Sequence, residues 1–173
     1  GFERPEHPRD GMFADVSDDG RWLYLTTFSG SLGNRLWIAD LGNAAQPNLA
    51  ARPVAVAPEE DAFHTPLGVV GDELFLYTTY QAPKGRIVAA KIGDSDRAKW
   101  RTVVPEGRDS MVQGDARLVG GRLAIVYLVD VQSRVRLFGI DGTPHGEIPL
   151  PEPGSITGTS SSSSGLSGRS DGH

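Results

Sequence analysis

Glu59, Glu60 and Asp61 stand in a row. Adjacent carboxylates can work as general acid and general base when their surroundings push their protonation apart. This run lies in a connection between repeated units, where acidic side chains are ordinarily just hydrated. Asp15-Val16-Ser17-Asp18-Asp19-Gly20 opens like a calcium loop, with oxygen ligands at alternate positions followed by glycine. The twelfth position of such a loop is Thr26 here, where a bidentate Glu is needed, and the flanks read as strands rather than helices. The segment is therefore read as a solvated hairpin turn. Serine chemistry needs a strained strand-to-helix turn, G-x-S-x-G, to expose the nucleophile. Gly165-Leu166-Ser167-Gly168 approaches that pattern with the wrong glycine spacing and inside a polar tail. His7, His64, His145 and His173 are scattered without metal or triad spacing, and Gly30-Ser31-Leu32-Gly33 lacks the lysine of a phosphate loop. There is no cysteine, which removes disulfides, thiolate metal sites and a Cys nucleophile. No catalytic residue, metal or cofactor is expected within this chain.

The elements that would carry such groups are strands. The 173 residues include 22 Gly and 12 Pro, heavy for a helical protein and ordinary where many short strands need turns. The net charge of −5 argues against a basic nucleic-acid binder. The longest apolar run covers 123–129, far below the roughly 20 residues of a membrane-spanning helix. The opening GFERPEHPRDG has no signal-peptide pattern, and the choice between cytoplasm and periplasm stays open.

Three markers recur in one order. A glycine turn precedes a hydrophobic strand in SDDGRWLYLTT, VGDELFLYTTY and VGGRLAIVYLV, with Gly20, Gly71 and Gly121 separated by 51 and 50 residues. A polar residue or Gly, then Arg, opens NRLWIADL, GRIVAAKI and SRVRLFGI, with Arg35, Arg86 and Arg134 separated by 51 and 48. Pro-Glu closes VAVAPE, RTVVPE and EIPLPE, with Pro58, Pro105 and Pro151 separated by 47 and 46. Each unit offers four strands: 12–16, 22–28, 35–40 and 52–57; 64–69, 74–80, 86–91 and 100–104; 112–118, 123–129, 134–140 and 146–150. Asp19-Gly20, Gly71-Asp72, Gly120-Gly121 and Asp141-Gly142 supply the turn residues of tight hairpins. The stretch 94–99 is too short for an independent helix and reads as a loop turn.

A four-stranded sheet repeated at this period is the mark of a β-propeller blade. The expected fold is all-β, a partial β-propeller of about three four-stranded antiparallel blades plus the start of a fourth. The divisions are a lead-in at 1–11, blade repeats at 12–59, 60–106 and 107–152, and the start of the next blade with a Ser-rich loop at 153–173. Closed propellers have four to eight blades, so the end blades should each expose an apolar sheet face. The chain therefore reads as part of a larger protein, or as one that completes itself by assembly, with marginal stability alone. Arg35, Arg86 and Arg134 recur at one place and suggest structural pairing with a neighbouring blade's carboxylate. Trp22, Trp37 and Trp100 lie in strand candidates and read as packing residues. The serine run 160–164 carries no apolar surface and reads as a loop or linker.

The wording of the repeats carries a further signal. ADVSDDGRWLYLTT, NRLWIADL, APKGRIVAAKI, KWRTVVPE, LVGGRLAIVYLVDVQSRVRLFGIDG and GSITG closely resemble successive stretches of the propeller domain of prolyl oligopeptidases, in matching order from about residue 11 to 158. These serine peptidases cleave short peptides on the carboxyl side of proline. The resemblance implies a seven-bladed propeller over an α/β-hydrolase domain of the same parent chain, restricting access to a buried active site. The family's Ser, Asp and His belong to that C-terminal domain, so no catalytic residue carries over. The loop after 22–28 is one residue shorter than in the family, and the serine run interrupts a stretch that is usually compact. In that loop the family places side chains lining the substrate cavity, and the matching positions here are Phe28 and Ser31.

Three functions follow for weighing. The first is a non-catalytic propeller segment that gates and partly lines the cavity of an enzyme acting on short proline-containing peptides. The second is an interaction scaffold that completes its propeller by oligomerisation. The third is a small independent hydrolase, which the missing nucleophile turn counts against.

Overall fold

The computed structural model describes residues 11–30 and 32–150. Three antiparallel sheets of four strands follow one another along the chain, with a small hairpin between the third and fourth strands of the first. The first sheet holds β1 (Gly11–Val16), β2 (Trp22–Phe28), β3 (Arg35–Asp40) and β6 (Val54–Ala57), and β4 (Gly42–Asn43) pairs with β5 (Gln46–Pro47). The second holds β7 (His64–Val70), β8 (Glu73–Thr78), β9 (Arg86–Lys91) and β10 (Arg101–Val104). The third holds β11 (Ser110–Val119), β12 (Arg122–Val129), β13 (Gln132–Gly139) and β14 (Pro144–Pro149). The sheets are not closed into a ring, and the fold is the partial propeller that the repeats imply. Its expected fourth-blade opening at 153–173, including the serine run, lies outside the described residues.

Strand order follows sequence order in each sheet because the chain turns back at short loops. Gly120 and Gly121 both adopt positive φ, at 57° and 74°, the pairing that a two-residue hairpin matched to the strand twist requires. Residues 94–99 form a turn, with one 3-10 turn at Arg97–Lys99 capped by the Asp96 carboxylate, which accepts the Ala98 amide at 3.0 Å.

Alternation along the strands decides which sheet is interior. In β8 successive side chains point to opposite faces, yet the five residues from Leu74 through Thr78 are all buried. Leu74 and Leu76 join Trp22, Tyr24, Leu36, Ile38 and Trp100 in a core between the first and second sheets. Phe75 and Tyr77 join Ile87, Val103, Leu123, Ile125 and Tyr127 in a second core between the second and third. The middle sheet is therefore covered on both faces, whereas the outer two bury one face each. The expected apolar end faces are present: Met12 and Val16 are 42% and 47% exposed on the first sheet, and Leu128 and Ile148 are 47% and 53% exposed on the third.

The recurring arginines correct part of the sequence reading. Arg35 lies 3.5 Å from Glu60, in the connection leading to the next blade. Arg134 instead pairs with Glu147 of its own sheet at 2.9 Å. Among the described residues Arg86 reaches no carboxylate at bonding distance, and it donates to the Tyr80 carbonyl and the Thr102 hydroxyl. Their shared role is to hold the third strand's start against whatever polar group each blade offers. Trp22 and Trp100 pack in the first core, Trp100 standing just before β10, while Trp37 is half-buried on the first sheet's outer face.

Candidate functional site

The loop that joins β2 to β3 meets the start of β7, and between them lies an open cleft of about 290 Å³. Phe13, Phe28, Phe63 and Pro66 give it an apolar lining, and Asn34 and Gln113 bring polar groups to its wall. Phe13 and Phe28 come from neighbouring strands, two residues apart in register, so their rings share one face. They stack with centroids 5.5 Å apart, and Phe13 is 65% exposed. An apolar wall with a few convergent polar groups is the usual make-up of a site for small molecules or peptide segments.

The loop is held at both ends. Glu60 accepts the amides of Ser29 and Gly30 at 2.6 and 2.9 Å on Oε1, and the Ser29 hydroxyl at 2.7 Å on Oε2. Burial works against its charge, but the hydrogen bonds from Ser29 and Gly30, with Arg35 beyond, outweigh it and hold the carboxyl below its ordinary value. At the other end Asn34 is buried, donates Nδ2 to the His64 carbonyl at 3.0 Å and accepts the His64 amide at 2.9 Å. Its own amide donates to the Ala62 carbonyl at 2.9 Å. Gly33 makes this approach possible, because a Cβ there would fall on the backbone of Ala62. Gly33→Ala is accordingly expected to cost about 1–3 kcal/mol by forcing the loop off the second blade, read as a lowered urea midpoint with an unchanged slope.

Of the histidines, His64 lies beside the cleft, but its ring belongs to the core. It is 2% exposed, meets Trp100 edge to face at 5.7 Å and places Nδ1 2.9 Å from the Thr78 hydroxyl. Burial, with the positive charge of Arg97 added, pushes its pKa down to about 4, against a small opposing pull from Asp61. Arg97 in turn donates to Asp61 at 2.6 and 3.1 Å and lies 3.9 Å over the Tyr80 ring.

The carboxylates read as hydrated are thus engaged. Glu60 binds backbone, Asp61 binds Arg97, and Glu59 stands 3.6 Å from Arg97. The segment resembling a calcium loop is a turn closed on itself. Asp19 Oδ1 accepts the Ser17 hydroxyl at 2.5 Å and the Arg21 amide at 3.1 Å. Among the described residues no group of three or more His, Asp or Glu is placed to hold a metal ion, and no helix is long and apolar enough to cross a membrane. Of the two loop positions singled out from sequence, Phe28 lines the cleft, and Ser31 lies outside the described residues. His7, His173 and the Gly165-to-Gly168 segment also lie outside them.

Sequence reasoning did not bring together Phe13, Asn34, Glu60, Phe63, Pro66 and Gln113. Two of them carry a repeat signal. Asn34 precedes the recurrent Arg, and Glu60 follows the recurrent Pro-Glu mark. In the second repeat Glu106 of that mark accepts the Lys84 amide at 2.6 Å, in the loop that corresponds to the one held by Glu60. In both blades an acidic side chain just after the fourth strand ties down the loop between the second and third: Glu106 of the mark itself in the second, and Glu60, one residue past the mark, in the first.

Known proteins agree with this architecture. The family model described as prolyl oligopeptidase, N-terminal beta-propeller domain, matches residues 2–165. The prolyl endopeptidases of Elizabethkingia miricola and Elizabethkingia meningoseptica are 29% and 27% identical over 154 residues, covering 87% of this chain and 20% of theirs. A solved prolyl endopeptidase superposes with a TM-score of 0.71 at 25% identity, over 86% of this chain and 21% of its own. Prolyl oligopeptidase B from Galerina marginata, without ligand, shares the fold with a TM-score of 0.72 at 22% identity. The chain spans about one fifth of the length of the curated relatives it matches. Three stacked blades and a family match over nearly the whole chain place this protein in the prolyl oligopeptidase family, within its N-terminal β-propeller domain.

Proposed function

We propose that these residues form a non-catalytic propeller segment of a proline-specific serine peptidase, gating access to its active site and lining part of the substrate cavity. The observation that carries this reading is the match of residues 2–165 to the propeller domain within relatives about five times longer. On this reading the reacting serine, histidine and aspartate sit in a C-terminal α/β-hydrolase domain of the same parent chain. The two exposed apolar end faces are where further blades of that propeller pack, since the apolar surface left on Leu128 and Ile148 is most stable out of water. The substrates are short proline-containing peptides, and a propeller in front of the site excludes folded proteins by size.

Phe28, with Ser31 as its loop partner, is the contact this chain contributes to the peptide. An aromatic ring already stacked on Phe13 loses little freedom on meeting an apolar peptide side chain. In the longer peptidase polypeptide, Phe28→Ala is expected to raise KM for a proline peptide about tenfold, corresponding to roughly 1.4 kcal/mol of lost apolar contact, while kcat changes by less than about twofold. Steady-state kinetics on a fluorogenic peptide measures both. An unchanged KM would remove Phe28 from the cavity.

A further inference from the structure

We infer that Glu60 and Asn34 are positioning residues for substrate recognition, clamping the loop between β2 and β3 onto the second blade and so fixing the mouth of the cleft beside Phe28. The inference rests on the reading that this cleft belongs to the substrate cavity. Four contacts at the loop's start and end are involved on the Glu60 side: two amides, one hydroxyl and the Arg35 guanidinium at 3.5 Å. Asn34 adds a reciprocal amide pair with the His64 backbone, sealed from water. Both side chains act through hydrogen bonds and charge rather than by filling apolar space.

The second repeat shows what is special in the first. There Glu106 takes a single amide, from Lys84, and the loop is secured independently by Lys84 Nζ on the Arg108 carbonyl at 2.9 Å. In the first repeat the same device is enlarged to three hydrogen bonds on one carboxylate, at the loop that borders the cleft. A loop carrying Gly30 and Gly33 has many accessible conformations. Holding it in one of them spares a peptide the ordering cost on binding. The expected signature is on recognition rather than on the chemical step, since the proposed reading places the reacting groups in another domain.

The test uses Glu60→Gln, Glu60→Ala and Ser29→Ala in the longer peptidase polypeptide, with a succinyl-Gly-Pro fluorogenic peptide as probe, and amide exchange at Ser29 and Gly30 in the 173-residue chain. Ser29 is exposed, so its variant folds whether or not the Glu60 variants do. Glu60→Ala is expected to raise KM about tenfold with kcat within about twofold, Glu60→Gln about threefold because one carbonyl oxygen still accepts an amide, and Ser29→Ala about twofold. Exchange at Ser29 and Gly30 is expected to quicken in the Glu60 variants. Faster exchange with unchanged KM would overturn the inference while leaving the peptidase reading intact. Loss of kcat with unchanged KM would also overturn it. A wild-type polypeptide with no activity on the probe would overturn the peptidase reading, and the inference with it.

Discussion

Phe75→Ala is expected to cost about 3–5 kcal/mol. Phe75 is 1% exposed and sits in the core shared by the second and third blades. Its strand is packed on both faces, so no solvent-facing side is available into which the sheet can relax. The cavity left in that core would persist. Against a total stability of about 5–15 kcal/mol for an ordinary domain, this is a large fraction. A fall of about 6–20 °C in the thermal midpoint is expected for a chain of this size. Ile148→Ala is the control, because Ile148 is 53% exposed on the open face of the third blade. It should cost less than about 1 kcal/mol in this chain, and more in a longer polypeptide whose next blade covers that face. Urea unfolding of the two variants side by side decides the matter. Equal costs would mean that the middle blade is not the centre of the packing.

The second large effect is acid sensitivity centred on His64. Its folded pKa of about 4 lies below the value near 6.5 of an unfolded histidine. The native state therefore binds fewer protons than the unfolded chain over that interval, and stability falls as pH drops from about 6.5 to about 4. The shift corresponds to about 3 kcal/mol lost across the window, with no further loss from this group below it. The cause is structural. The ring is enclosed by Trp100 and Thr78, with Arg97 as the nearby cation and only Asp61 to favour a proton. Asp61, Glu60 and Asp40 have depressed values of their own and act at lower pH, where their protonation removes the ion pairs and loop contacts they make. His64→Asn keeps an amide near Thr78 and removes the titration. It should be less stable at neutral pH, with a profile nearly flat between pH 6.5 and 5. An equally steep profile in that variant would assign the acid loss to the carboxylates.

The contrast between blades explains how much was legible in the sequence. ELFLYT in the second repeat is apolar at nearly every position because both faces of β8 are covered, and RLAIVYLV in the third alternates in burial because one face of β12 is open. The period of the repeats, the strand positions and the glycine turns could be read because each is a local pattern. The conformation of the turn at Asp130 and Val131, between two strands that were read, could not. Both residues adopt positive φ, at 47° and 62°, with no glycine to announce it, and the pairing of β12 with β13 imposes the turn on residues that disfavour it. The small β4–β5 hairpin was missed for the opposite reason, since two paired residues leave no periodicity to detect.

The site was less legible than the fold. Phe28 was reachable through the family resemblance and lines the cleft, but Phe13, Phe63 and Pro66 arrive from other segments, and their convergence depends on the register of β1 with β2 and on how two blades meet. Glu60 was visible as a carboxylate, and its role was not. A lone acidic run in a connection carries no sign of which backbone amides it faces. The Glu after Pro58 is Glu59, which faces Arg97, and the loop is held by its neighbour Glu60, whereas in the second blade Glu106 of the mark itself holds the loop.

The central proposal is that these blades serve a proline-specific peptidase whose chemistry lies in another domain. It is tested most directly with a fluorogenic succinyl-Gly-Pro peptide, comparing the 173-residue chain with the same chain in a polypeptide that includes a C-terminal hydrolase domain from its gene. Hydrolysis after proline by the longer polypeptide alone is the expected result. Hydrolysis by the 173-residue chain itself would place a catalytic site within these blades and contradict the account.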